Sequence, residues 1–237
     1  MPSKLRVQFR TFSESAKPIV KLMDDMDADV ANALGNSMVR DKHAAVRNAS
    51  VVLLSGFLES FLKQSAEAFF DELRSRGIRY SELPQRMRKV HFSGGLSEIQ
   101  KIAKDDDDVF SDTQVALGRL AGPSRDDVAS LYWQAFAVTK GNPGSVVVKE
   151  YLKNFDIKNP LNALAVEVSS DETLIDMTLD SFISLRNECA HTGRAKNTPK
   201  TSEVRDFVFF LRRLTLGISR VLERTVSDLY ARALAAR

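Results

Sequence analysis

A single cysteine, Cys189, among 237 residues excludes an internal disulfide framework and any zinc site built on thiolates, and it suits a reducing compartment. The alternating pattern of half-buried strands is missing too. Its one candidate, Val146-Val147-Val148, leads straight into a helical pattern. Long apolar runs are also lacking: the most apolar, Val51 to Leu58, is interrupted by Ser55 and Gly56 and is too short to span a bilayer. Residues Met1 to Arg6 carry charge but open no apolar segment of signal-peptide type. The setting expected is cytoplasmic, with no membrane partner. Charge of one sign is scarce as well, with a net charge of +3 and a sequence pI near 9.0. A nucleic-acid partner is compatible with this but not required, and any basic patch must be local. The acidic run Asp105 to Asp108 does not provide the spaced oxygen ligands that calcium or magnesium needs, so it reads as solvated surface. No metal and no cofactor is expected.

What is present is helical periodicity over a composition ordinary for a globular chain, 43% hydrophobic and 27% charged. The pattern predicts a helix over Lys17 to Leu34 after a polar N-terminal segment. A long helix is then expected from Ser37 or Asp41 to Arg76, stopped by Gly77. Its apolar positions, among them Leu53, Leu54, Phe57, Leu58, Phe61, Leu62, Phe69 and Phe70, follow the three-and-four spacing of a buried stripe. Pro84, Gly94-Gly95, Gly122-Pro123 and Asn142-Pro143-Gly144 punctuate the middle into short helices. Asp171 or Glu172 opens the next strong helix, which carries Leu174, Ile175, Leu179, Phe182, Ile183 and Leu185. After a loop, Thr201 or Ser202 caps a final helix to the C-terminus. The fold class expected is all-α: a helical bundle with an irregular helical insertion, residues 78–147, between the long second helix and the helix that begins near 171.

That later helix ends in Leu185-Arg-Asn-Glu-Cys-Ala-His-Thr-Gly193, which sets Arg186, Asn187 and His191 within two turns, with Gly193 as the stop. Arginine offers a fixed cationic fork for a phosphate, and histidine moves protons near neutral pH. Spacing alone is weak, because Arg86-Met-Arg-Lys-Val-His91 fits it too. That second copy, flanked by Pro84 and by Gly94-Gly95, reads as exposed basic surface. On one helix Asn187 and His191 share a face, while Arg186 sits about 140° from His191. A second copy of the helix across a two-fold axis could complete a cleft between them. The negative end of the helix dipole favours the charged imidazole at His191. The bland alternative is that Arg186 pairs with a carboxylate such as Glu59 and His191 only caps helix-end carbonyls. Cys189 reads as a small core residue, since it diverges from His191 by about 200° and pairs poorly with it. Tyr132 and Trp133 read as core.

The segment Ser181 to Gly193 resembles the signature of the HEPN superfamily. There an Arg, often followed by Asn or Asp, precedes a His by four to six residues on the third core helix. Ala49 to Asp71 is similar to that family's long aromatic and acidic helix, and Pro199 to Phe207 resembles its entry to the last core helix. Within the superfamily the likeness is to the RiboL-PSP and MAE_28990 type groups of prokaryotic conflict systems, and Val148 to Asn159 resembles a short element found before their motif helix. The resemblance implies one HEPN-like domain over 1–237, and many such domains are metal-independent endoribonucleases that act as dimers. On that model His191 would activate the 2′-hydroxyl or protonate the leaving 5′-oxygen. Arg186 would stabilise charge on the phosphate, and Asn187 would orient the phosphate or the histidine. The implied partners are RNA, a second copy of the chain, and an antitoxin, ATPase or nucleotidyltransferase regulator. The alternative class is a non-catalytic helical dimer for protein association or nucleotide binding. Which RNA is cut is not legible.

Overall fold

A computed structural model describes residues 3–105, 118, 128, 133–137, 142–192 and 197–237. Eight α-helices lie within them: α1 (Lys4–Ala28), α2 (Val30–Gly35), α3 (Ser37–Ser75), α4 (Gln85–Asp105), α5 (Ser145–Asn154), α6 (Pro160–Val168), α7 (Glu172–Thr192) and α8 (Thr201–Ala236). Short 3-10 helices at Tyr80–Glu82 and Trp133–Ala137 join them. No strand occurs among the described residues, so the chain is an all-α bundle, as the periodicity predicts.

Several helix ends carry the expected capping chemistry, but the helix expected over Lys17 to Leu34 stops at Ala28 and a separate α2 follows it. The Asn36 carboxamide oxygen accepts from the N–H groups of Met38 and Val39 at 3.0 and 3.4 Å and opens α3. Gly77, at φ 64°, closes it. There Gly77 N–H donates to the Arg74 carbonyl at 2.9 Å and Ile78 N–H to that of Leu73 at 3.2 Å, the paired bonds of a Schellman stop. Asp171 opens α7 by accepting from Thr173 and Leu174 N–H at 2.8 and 3.2 Å. The Glu203 carboxylate opens α8 by accepting from Lys200 N–H at 2.7 Å.

Helices α1, α3 and α8 pack on one another, and α7 lies against α3. Leu54, Leu58, Phe61 and Leu62 of α3 are buried with Phe12 and Ile19 of α1 and with Leu211, Leu214 and Ile218 of α8. A second knot is aromatic, with the Phe69 and Phe155 rings at 4.7 Å and those of Phe70 and Phe136 at 4.6 Å, both in the edge-on geometry that ring quadrupoles favour. Phe136 brings the expected insertion into the common core. Helix α3 has an 18-residue stretch of mean hydropathy 1.3, apolar enough by length and composition to cross a membrane. In the fold 44% of that stretch is buried within the bundle.

Several details depart from the periodicity. The first helix begins at Lys4 rather than Lys17. Pro18 sits inside it, and Leu5, Phe12 and Ala16 on the N-terminal side are buried, so packing overrides a residue that reads as a helix start. Gly94-Gly95 does not break α4, which runs through both glycines. Nor is the Arg86–His91 segment wholly exposed basic surface: His91 is only 1% exposed, Met87 is fully buried, and His91 lies edge-on to Tyr80 at 5.8 Å. Leu53 and Leu174, counted in apolar stripes, face outward. Trp133 is half-buried. Tyr132, the Gly122-Pro123 break, Asp106 to Asp108 and the Gly193 stop lie outside the described residues.

Candidate active site

Helix α7 is pinned along its length by the segment that enters α5. Lys149 Nζ sits 2.8 Å from an Asp176 oxygen, and that contact, with a Ser145 hydrogen bond, holds the Asp176 carboxyl below the usual range. One turn on, Asp180 accepts from Ser145 N–H at 3.0 Å. A Cβ at Gly144 would make ordinary van der Waals contact with Asp180 Oδ1 at 3.4 Å and Ile183 at 3.6 Å, so the approach does not depend on glycine. The last rung is in the motif itself: Asn142 Nδ2 donates to Asn187 Oδ1 at 3.1 Å. On the opposite side Cys189 Sγ lies 3.5 Å from Asn48 Oδ1 of α3.

These two anchors fix how the motif residues point. Arg186 and Asn187 are half-buried and His191 is exposed. Arg186 Nη1 donates to the same Asn187 oxygen at 3.3 Å. Asn187 Oδ1 is thus occupied by two donors, and its NH2 group stays available. Arg186 Nε is buried without a hydrogen-bond partner, and no carboxylate among the described residues lies within ion-pair distance of this guanidinium. Glu59, the carboxylate suggested by spacing, pairs with Lys63 at 2.8 Å. The structure therefore brings Arg186 and Asn187 together. It gives His191 no hydrogen bond to either: Arg186 lies about 140° away around the helix, and Asn187, on the same face, has its oxygen taken by Asn142 and Arg186.

A cation with a desolvated, unpaired N–H is costly in a resting protein, on the order of 1–3 kcal/mol for such a donor. A fork held by its neighbour and lacking a counter-ion among the described residues is suited to a phosphate. Cys189 is 4% exposed, and burial, then the Glu188 charge, push its thiol up from the ordinary value. It is a core residue, not a thiolate nucleophile. The sequence reading missed Asn142 and Asn48. Asn142 was visible only as the first residue of a turn-forming triplet, and Asn48 carried no signal, being a polar residue on a mostly apolar helix.

The RiboL-PSP-HEPN family model matches residues 16–224, covering α7 whole and most of α1 and α8. No curated protein and no solved structure matches the chain.

Proposed function

Because the chain belongs to the RiboL-PSP-HEPN family, we propose that it is a metal-independent endoribonuclease acting as a dimeric toxin or antiviral effector. The observation that carries this reading is the Arg186 guanidinium, held by Asn187 and without a carboxylate partner among the described residues, five residues before an exposed His191. His191 takes the proton of a 2′-hydroxyl. The 2′-oxygen bonds to the adjacent phosphorus while the bond from phosphorus to the 5′-oxygen breaks. That oxygen takes up a proton delivered from the His191 imidazolium directly or through solvent, which returns the ring to its neutral form. The products are a 2′,3′-cyclic phosphate and a 5′-hydroxyl. The nucleophile is internal to the substrate, so the protein's task is to orient and to stabilise charge. Arg186 meets the charge on the phosphate oxygens, and the free Asn187 NH2 group donates to the same phosphate. A second copy of α7 across a two-fold axis supplies the other wall, since Arg186 and His191 diverge on one helix. The enzyme works in the cytoplasm, where RNA and a reducing medium suited to a free Cys189 coincide. An antitoxin, ATPase or nucleotidyltransferase keeps it silent there.

The test is cleavage of RNA in EDTA by wild type, Arg186→Ala and His191→Ala, with end-group analysis and with helicity and mass checked for each protein. Cutting by wild type alone, leaving cyclic phosphate ends, is the expected result. Activity surviving in both variants removes these residues from the mechanism. Inert, folded dimers of all three on every RNA, with or without a co-expressed neighbour, favour a binding module.

A further inference from the structure

A second cluster of cations lines a cleft of about 320 Å³ between the α1–α2 corner, the start of α3 and the start of α8. Arg40, His43 and Arg47 enter it from successive turns of α3, and Lys200 and Thr201 from the first turn of α8. Arg47 Nε is buried and has no hydrogen-bond partner. Burial pulls the Arg47 guanidinium down from its ordinary value, with the Asp27 charge opposing. Asp27 is the one carboxylate in the lining, and it is already engaged: Thr201 Oγ1 donates to one of its oxygens at 2.5 Å and Arg205 to the other at 2.5 Å. A second carboxylate, Asp29, sits 3.3 Å from His43 Nε2, which leaves Arg40, Arg47 and Lys200 as the lining cations with no ion pair to a carboxylate among the described residues. It also lies beside the motif. Asn48, next to Arg47 in the chain, bonds Cys189 of α7, and the chain leaving α7 returns at Thr198-Pro199 in the cleft wall.

We propose that this cleft is a phosphate-binding subsite, with Arg47 and Arg40 holding a backbone phosphate of the RNA strand beyond the scissile one. The assignment rests on the ribonuclease reading for the identity of the strand, but the phosphate chemistry stands by itself. Two arginines and a helix start form a fork-and-dipole cradle for a phosphate dianion or diester, and a contact outside the reacting centre fixes the register of the strand without reading its bases.

The probes are a fluorescent 2′-O-methyl RNA oligonucleotide, which lacks the nucleophile and is bound without being cut, and inorganic phosphate. Binding of the oligonucleotide is followed by anisotropy over a salt series for wild type, Arg47→Gln and Arg40→Gln. Arg40 is exposed, so its variant stays informative if Arg47→Gln folds poorly. Each substitution is expected to weaken binding about tenfold on any RNA sequence and to flatten the salt dependence by roughly one phosphate contact. Phosphate is titrated while the His43 imidazole signals are followed, a simple spectrum in a chain with 3 histidines. Phosphate is expected to shift them in wild type and not in Arg47→Gln. Wild-type affinity and salt slope in both variants, together with that shift, overturn RNA as the source and leave a free phosphate compound as the ligand. A shift without any RNA binding by wild type sinks the ribonuclease reading and keeps the cleft. If the His43 signals do not respond and the variants bind RNA like wild type, the subsite is refuted.

Discussion

At Arg186 the chain keeps a guanidinium for which the fold offers one 3.3 Å hydrogen bond, to Asn187, and no carboxylate partner among the described residues. A buried Nε without a partner is a cost that a side chain of similar reach lacking the charge avoids. Arg186→Met is therefore expected to raise unfolding stability by about 1 kcal/mol in urea titrations while abolishing cleavage. Destabilisation would mean that the residue has a structural role. Cys189 predicts the reverse pattern. Cys189→Ala leaves a small void and is expected to cost about 1 kcal/mol with cleavage retained; a folded but dead variant would return the thiol to the chemistry. His91 gives a pH signature. Burial holds its imidazole below the ordinary value, so the folded chain keeps it neutral where the unfolded chain protonates it. Its contribution is complete above the unfolded pKa of about 6.5 and is lost as pH falls below that value. Urea midpoints measured at pH 7.5 and pH 5.5 should converge for wild type and His91→Gln as the pH is lowered; a constant difference would show that His91 does not titrate in the unfolded chain alone.

Helix contacts show most clearly what a sequence carries. The spans of α3, α7 and α8 were legible because boundary signals and apolar spacing agree at each, with Gly77 ending α3 and Asp171 opening α7. The caps themselves differ at two starts: Asn36 rather than Ser37 or Asp41 caps α3, and Lys200 with Glu203, rather than Thr201 or Ser202, caps α8. The start of α1 was not, because Pro18 imitates a first-turn proline and only the burial of Leu5 and Phe12 shows otherwise. In α4, Gly94-Gly95 is a weak breaker inside a helix supported by neighbours. The motif string was legible as chemistry, and the packing that aims it was not, since Asn48 and Asn142 reach α7 from 141 and 45 residues away. Close approach of helices is equally invisible in the chain. At Gly217 of α8 a Cβ would come within 2.6 Å of Val168 Cγ1 at the end of α6. Gly217→Ala is expected to destabilise by about 1–2 kcal/mol, because the clash outweighs the gain in helix propensity. Adding Val168→Ala should recover part of that loss, a coupling readable in a double-mutant cycle. Additive losses would place the strain elsewhere.

For the whole molecule the sharpest question is how many chains build one active centre. If Arg186 and His191 act across a two-fold axis, then mixing inactive Arg186→Ala with inactive His191→Ala, after unfolding and refolding together, restores about a quarter of wild-type activity, because half the dimers carry one intact pair. No recovery, with heterodimers confirmed by mass, would locate both residues of a centre in one chain. The way α7 is gripped bears on what such a centre gains. With Asn48 on one flank and the Asn142–Ser145 segment on the other, the helix has little freedom to roll about its axis. The Arg186–Asn187 pair is therefore set before any strand arrives. If the chain cleaves RNA as proposed, the entropy of freezing these two polar side chains is charged to folding rather than to binding, and more of the contact energy remains for the pentacoordinate phosphorus.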